Sequence, residues 1–325
     1  MTASASRGLS QCSLRQLGWS AFFQAQLSPQ QSADLIPARV VAVQRTGLTL
    51  VFEGGFVDIP LSGRWFQQPP EQRPTIGDWV LLNRQRNGIE RLLERRSLLK
   101  RVASGKARDV QLLAANVDTM FLVSSCNEEF NPARIERYLA LALEAGVKPV
   151  VVLTKGDQVA DPDAFADAVR ALKADLDIEV VDARDARTLS GVKCWCGEGQ
   201  TVALLGSSGV GKSTLVNTLS GAQVQLTQDV REDDAKGRHT TTHRSLHLLP
   251  LGGLVVDNPG MRELSLPEGD DGVQALFADI EEIGDQCRFR NCQHLREPGC
   301  AVQAAIAAGE LDHRRLDSYR KLQQR

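Results

Sequence analysis

No run of 18 or more apolar residues occurs in this chain of 325. That excludes a membrane-spanning helix, which needs about 20. The longest strong apolar runs, Pro149–Leu153 and Val202–Leu205, are strand-sized. The opening stretch, MTASASRGLSQCSLRQLGWSAFFQ, lacks the unbroken apolar core of a secretory signal. A cytoplasmic, membrane-free protein is therefore expected. Net charge is almost missing too, 38 Lys+Arg standing against 40 Asp+Glu. Aromatics are 5%, but 42% hydrophobic and 24% charged residues exclude a disordered or collagen-like chain. No internal repeat is visible. The seven cysteines are an odd number and three crowd near the C-terminus; without an export signal this favours metal over disulfides.

What is present suggests two or three domains, at roughly 100–200 residues each. Residues 1–34 read as an extension, partly helical near Leu17–Phe23. Five short strand-like segments follow: Ala38–Val43, Leu48–Phe52, Phe56–Ile59, Trp79–Leu82 and Ile89–Leu93. Gly, Pro and Asn punctuate them, which predicts a small OB-fold barrel over residues 35–100. From 101 to 266 strands and helices alternate, predicting a mostly parallel sheet covered by helices. Strands are expected at Val117–Val123, Val150–Leu153, Ile178–Val181, Val202–Leu205, Ser245–Leu249 and Leu254–Val256. A helix opens at Asn131-Pro132, shows Ile135, Tyr138, Leu139 and Ala142 on one face and stops at Gly146; another starts at Asp161-Pro162. Residues 267–325 hold a Cys/His cluster and then two short helices.

Gly206-Ser207-Ser208-Gly209-Val210-Gly211-Lys212-Ser213 fits G-x-x-x-x-G-K-S/T between a strand and a helix, with Thr214 following. Glycines let backbone N–H groups turn inward around an anion, and the helix N-terminus adds its dipole. Lys212 then reaches the outer phosphates, and the Ser213 hydroxyl is placed for Mg²⁺. Asp257-Asn258-Pro259-Gly260 ends a strand about 50 residues later, placing Asp257 by the Mg²⁺ shell and the Gly260 N–H by a γ-phosphate. Between them, Gly237-Arg238-His239-Thr240-Thr241-Thr242 offers hydroxyls for Mg²⁺ and γ-phosphate. Thr154-Lys155-Gly156-Asp157 approximates the guanine-reading N-K-x-D. A buried Asp157 accepts from guanine N1–H and the 2-amino group, and adenine leaves it unpaired, a mismatch worth roughly 10⁴–10⁵. Thr in place of Asn shortens a contact that braces the loop.

The base reader precedes the phosphate loop, the reverse of the usual order, so the chain is circularly permuted. Strand ends rather than chain order define such a site. From about residue 36 onward the chain resembles the circularly permuted, ribosome small-subunit-dependent GTPases, the RsgA or YjeQ family. The resemblance rests on Thr75–Val80 (TIGDWV), Ala114–Asp118 (AANVD), the permuted motifs, GRHTTT and the final cluster. Departures are Thr154 for Asn, Asn258 for Thr or Ser, and Asp182-Ala183 where Ser-Ala is expected beside the base. The resemblance implies slow GTP hydrolysis, stimulated by the small subunit during its late maturation. Ras-type enzymes orient water with a Gln after D-x-x-G; Met261 stands here, and the resemblance points to His239 instead.

Cys287-x₄-Cys292-x-His294-x₅-Cys300 supplies three thiolates and an imidazole, the donor set of a closed structural Zn²⁺ site. So short a segment has no core of its own, and the metal contributes roughly 10–16 kcal/mol to its folding. Arg288, Arg290 and Arg296 interleave with the ligands. Cys194-Trp195-Cys196 reads as unpaired thiols. Arg84 to Arg108 carries nine basic and two acidic residues, and Glu268 to Asp285 seven acidic and none basic. With Trp65, Phe66 and Trp79 nearby, the basic block is an expected rRNA surface, Trp79 being better suited to the core. The expectation is a monomeric Mg²⁺-dependent GTPase docked on the small subunit and its rRNA. A GTPase of the large subunit, a nucleotide-gated RNA-binding module and a small-molecule kinase are the rivals.

Overall fold

Nine residues from Ile36 to Gln44 form β1, the strand on which the rest of the molecule is built. The computed structural model describes residues 8–44, 47–61, 63–102, 110–173, 175–221, 244–257 and 271–323. β1 is buried on both faces because alternate side chains serve two cores. Ala38 and Val40 pack with Leu50, Phe52, Trp65, Val80 and Leu82. Val41 joins Val51, Trp79 and Leu81 in the main core. β2 (Gly47–Phe52), β3 (Gly55–Pro60), β4 (Trp79–Leu82) and β5 (Ile89–Leu92) complete the five expected strands. All pair antiparallel, in the order β3-β2-β1-β4-β5. Among the described residues no ladder joins β3 to β5, so hydrogen bonding does not close the expected barrel.

The second half of the sheet runs β10-β9-β8-β11-β13-β12. β8 (Thr119–Ser125), β9 (Lys148–Thr154), β10 (Asp177–Val181), β11 (Thr201–Leu205) and β13 (Leu254–Asp257) are parallel. β12 (Arg244–Leu248) is antiparallel to β13. Apolar strands of this kind need cover on both faces. Helices α4 (Pro132–Glu144), α5 (Asp163–Arg170) and α8 (Asp271–Leu276) supply one cover, through Ile135, Leu139, Val169 and Leu276. Helices α6 (Ser190–Cys194) and α7 (Lys212–Leu219) supply the other, through Val192, Leu215 and Val216. Asn131 caps α4 as expected, accepting from the Arg134 N–H at 3.1 Å, with Pro132 in the first turn.

Three features differ from expectation. First, the strand groups are one sheet: β1 pairs with β12, Ala42 opposite Ser245 and Val43 opposite Arg244. Second, β6 (Leu98–Val102) and β7 (Val110–Ala115) form a separate hairpin, so the expected boundary at residue 100 falls inside a strand. Third, residues 8–34, expected as a partly helical extension, are packed into the body of the molecule. Short helices α1 (Ala21–Gln24) and α2 (Pro29–Asp34) lie there, and Leu9, Leu17 and Phe23 are buried in the main core. Trp19 meets Trp79 edge-on at 4.8 Å.

α3 (Gly63–Phe66) lies under the five-stranded part. The C-terminal portion is α8, α9 (Ala278–Gly284), the cysteine segment, α10 (Ala301–Ala308) and α11 (His313–Gln323). Sequence reading anticipated the last two helices and missed α8 and α9. Among the described residues no helix is long and apolar enough to cross a membrane.

Candidate functional site

Four of the expected motif segments lie along one edge, where the parallel strands end. β11 delivers Gly206, β9 delivers Thr154, β10 leads into Asp182 and β13 ends on Asp257. Because β9 and β11 flank β8, and β13 lies beside β11, these ends are neighbours. Such an edge, outside the carboxyl ends of the strands, is where open α/β sheets bind ligands.

Glycine is required in the phosphate loop for two reasons. Gly209 and Gly211 take φ of +78° and +97°, a region side chains rarely enter. A Cβ on Gly206 would collide with the Val123 carbonyl. Ser208 and Gly209 are exposed at the mouth, whereas Val210 anchors the loop in the core beneath. Lys212 Nζ donates to the carbonyls of Gly206 (2.7 Å) and Ser207 (2.5 Å), lying across the loop. Ser213 and Thr214 open α7, whose N-terminus therefore points at whatever the loop holds.

The base-reading motif is tied to this loop. Thr154, fully buried, donates its hydroxyl hydrogen toward the Val210 carbonyl at 2.6 Å, with the Ser124 carbonyl at 3.1 Å. The shorter threonine thus still spans from β9 to the phosphate loop. Lys155 adopts φ +60° and Gly156 begins a 3₁₀ turn packed on Val180. Asp157 is not buried as expected. Its side chain is 33% exposed and accepts from Arg184 Nη2 at 2.7 Å. Arg184 also grips Asp182, Nε to Oδ1 at 3.0 Å and Nη2 to Oδ2 at 3.2 Å. Hydrogen bonding from Arg184 holds the Asp182 carboxyl below its ordinary range. Ala183 is buried, and its carbonyl accepts from Thr218 of α7 at 2.6 Å.

Sequence reading missed three of these participants: Arg184, Thr218 and Arg134. Arg134, in the first turn of α4, donates to the Ser207 hydroxyl at 2.5 Å. No motif spacing marks them: Arg184 follows Asp182-Ala183 in the same turn, Thr218 lies further along α7, and Arg134 reaches over from α4. His239, Thr240, Thr241, Thr242, Asn258, Gly260 and Met261 lie outside the described residues.

The cysteine segment converges as expected. Ligand atoms of Cys287, Cys292, His294 and Cys300 all lie within 4.8 Å of one another. Cys287 and Cys300 Sγ are 3.9 Å apart, and each is 3.5 Å from His294 Nδ1. A tetrahedral zinc with ordinary bond lengths sets these edges at about 3.8 and 3.5 Å. Backbone N–H groups of Ala301 and Gln303 donate to Cys287 and Cys300 sulfur (3.3 and 3.4 Å), as thiolate ligands require. The residues therefore fit a metal ion. The remaining cysteines are free thiols among the described residues, Cys194 exposed and Cys196 buried.

The expected RNA surface is reduced. Arg95 is 12% exposed and bound to the buried Asp78; Arg96 pairs with Asp118; Arg91 donates to the Gln26 carbonyl. Trp65 joins Trp79 as a buried residue, and only Phe66 stands out, 56% exposed. Residues 103–109 of that block lie outside the described residues.

Residues 92–267 match the RsgA GTPase family. A relative from Vibrio parahaemolyticus, small ribosomal subunit biogenesis GTPase RsgA 2, is 52% identical over 309 residues, covering 95% of this chain and 84% of its own. Small ribosomal subunit biogenesis GTPase RsgA from Mesorhizobium japonicum is 49% identical over 313 residues, covering 95% and 89%. Among solved structures, YjeQ from Thermotoga maritima superposes with a TM-score of 0.66 at 26% identity, over 89% of this chain and 98% of its own. YloQ, described as a circularly permuted GTPase, gives 0.64 at 25% identity, over 89% and 94%.

Proposed function

The chain belongs to the RsgA GTPase family, and from that premise we propose that its four strand ends grip one guanine nucleotide and hydrolyse GTP during maturation of the small ribosomal subunit. The observation that carries the reading is the Thr154 hydroxyl on the Val210 carbonyl, which fastens base motif and phosphate loop into one unit. Asp157 reads guanine, with Lys155, Gly156, Asp182 and Ala183 around the base. Gly206 to Thr214 hold the phosphates, Lys212 turning from the loop carbonyls to the β- and γ-oxygens. Ser213, Asp257 and the threonines 240–242 are the residues that would hold Mg²⁺. When bound, that ion neutralises charge on the transferring phosphoryl group. Thr240–Thr242 and Gly260 sense the γ-phosphate, and His239 orients water in place of the glutamine that Met261 displaces.

The Cys287–Cys292–His294–Cys300 cluster takes one structural Zn²⁺. Residues 35–100 act as an OB-like module and 267–325 as the metal-bearing module, on either side of nucleotide-binding residues 101–266. Exposed Arg84, Arg86 and Phe66, with Arg288, Arg290 and Arg296, are the groups offered to rRNA phosphate and bases. The protein works as a monomer in the cytoplasm. The test is GTP and ATP hydrolysis by the parent, Lys212→Ala and His239→Ala, with and without purified small subunits. Subunit-stimulated, GTP-selective turnover lost in both variants is expected. Equal activity on ATP would remove the base-reading assignment, and undiminished stimulation in His239→Ala would remove that residue from the mechanism.

A further inference from the structure

Arg184 is exposed, yet its geometry is specified from three sides. Asp182 holds it at the backbone, accepting from the Arg184 N–H at 3.0 Å, and again at the guanidinium through both carboxylate oxygens. The Thr188 hydroxyl lies 2.9 Å from the carbonyls of both Asp182 and Asp185, bracing the turn that carries Asp182 and Arg184. So held, Arg184 Nη2 lies 2.7 Å from Asp157 Oδ2. A serine at position 182 has one short oxygen and no charge, and it could not grip a guanidinium in two places. The departure at 182 and the cation at 184 thus form one device.

We propose that Arg184 is a latch on the base-reading carboxylate, displaced when guanine binds, so that the Asp182–Arg184 pair sets guanine-nucleotide affinity. The proposal rests on the reading of Asp157 as the guanine acceptor. That reading needs both Asp157 oxygens, one for N1–H and one for the 2-amino group. An oxygen already sharing its charge with a guanidinium at 2.7 Å is a poorer acceptor, and the planar base must approach the same edge. The latch is also weak enough to open. Its side chains are 64% and 33% exposed, and exposed pairs shift an equilibrium by no more than about fivefold.

The experiment measures binding of fluorescent GDP to the full chain for the parent, Arg184→Ala and the double variant Asp182→Ser/Arg184→Ala. The double variant removes the pair without changing net charge, which separates a latch from general attraction of phosphate. Both variants are expected to bind about threefold tighter at low salt. The gap should close at high salt, where screening has already loosened the latch in the parent. A role confined to folding would not produce tighter binding that salt abolishes. Unchanged or weaker GDP binding in both variants, each with parental far-UV circular dichroism, overturns the proposal. ADP supplies the control for the premise: a parent that does not prefer GDP over ADP removes the reading of Asp157, and the latch with it. A parent that prefers GDP while the variants bind like it removes the latch alone.

Discussion

A hydroxyl carries a single hydrogen, and Thr154 has two carbonyls within reach, Val210 at 2.6 Å and Ser124 at 3.1 Å. The shorter contact takes the proton, and that bond crosses from the base motif to the phosphate loop. Thr154→Val keeps the volume, removes the donor and leaves the Val210 carbonyl without it in a fully buried site. An unmade bond of this kind costs about 1–3 kcal/mol. Denaturant unfolding should show that loss, and GDP binding should weaken with it, because the loop loses its fastening as well as its stability. Parental stability and parental GDP binding in Thr154→Val would show that the hydroxyl does not fasten the two motifs. Among the described residues four non-glycines take a positive φ, Arg86 (+57°), Asn116 (+54°), Lys155 (+60°) and His294 (+57°), and of these Lys155 lies in the base motif itself.

At the scale of elements, the two sequence stretches TIGDWV and AANVD are the halves of one joint. A Cβ on Gly77 would strike the Ala115 carbonyl, and Asn116 donates to the Gly77 carbonyl at 3.1 Å. Asp78, wholly buried, accepts from Arg95 through both oxygens at 2.8 Å and from the Thr75 N–H at 2.7 Å. Burial pushes the Asp78 carboxyl up, and Arg95 offsets only part of that rise. Arg39, also buried, donates to the carbonyls of Leu17, Gly77 and Asn116 and to the Thr201 hydroxyl, tying the N-terminal residues, β1 and β11 together. Arg95→Met leaves the buried Asp78 without its partner, a change that costs about 3–5 kcal/mol. Chemical denaturation should register the whole loss. GDP affinity should stay near parental, because Asp118 places this joint at the opposite ends of β8 and β11 from the phosphate loop. The cysteine segment invites a second test at this scale. Chelation should release one zinc per chain and abolish the order of residues 287–300, read by proteolysis there, while the parallel sheet stays folded. Strands, the Asn131 cap, the phosphate loop and the convergence of the Cys/His cluster were legible because each is written in local spacing. The β1–β12 ladder, the burial of Leu9 and Leu17, and the partners of Asp157 were not, because they depend on register between segments far apart in the chain. The basic block misled for a related reason: charge spacing cannot distinguish a solvated arginine from Arg95 sunk against Asp78.

Across the whole molecule, each segment expected to sense the γ-phosphate runs directly into another part of the structure. The threonine loop ends where β12 begins, and β12 is hydrogen-bonded to β1 while Arg244 donates to the Leu112 carbonyl of β7. The segment after Asp257 leads into α8, whose Gly272 N–H donates to Glu144 of α4 at 2.7 Å. α4 is also within reach of α11, with Arg314 3.6 Å from the buried Glu136, and its first turn touches the phosphate loop through Arg134. One helix therefore contacts the phosphate loop at one end and the C-terminal portion along its length. Gly272 is the tightest point of that seat: a Cβ there would collide with the Ala140 carbonyl and lie 2.8 Å from Glu144 Cβ. Gly272→Val should lift α8 from α4 without touching any residue of the nucleotide site. Hydrolysis by the isolated variant should stay within about twofold of the parent, while its stimulation by small subunits falls roughly tenfold, within the range of a 1–3 kcal/mol coupling. Zinc content should be unchanged, since the four ligands lie beyond α9. Full stimulation of Gly272→Val would show that the subunit acts on the nucleotide site by another route, leaving the β12–β1 ladder as the path to test next.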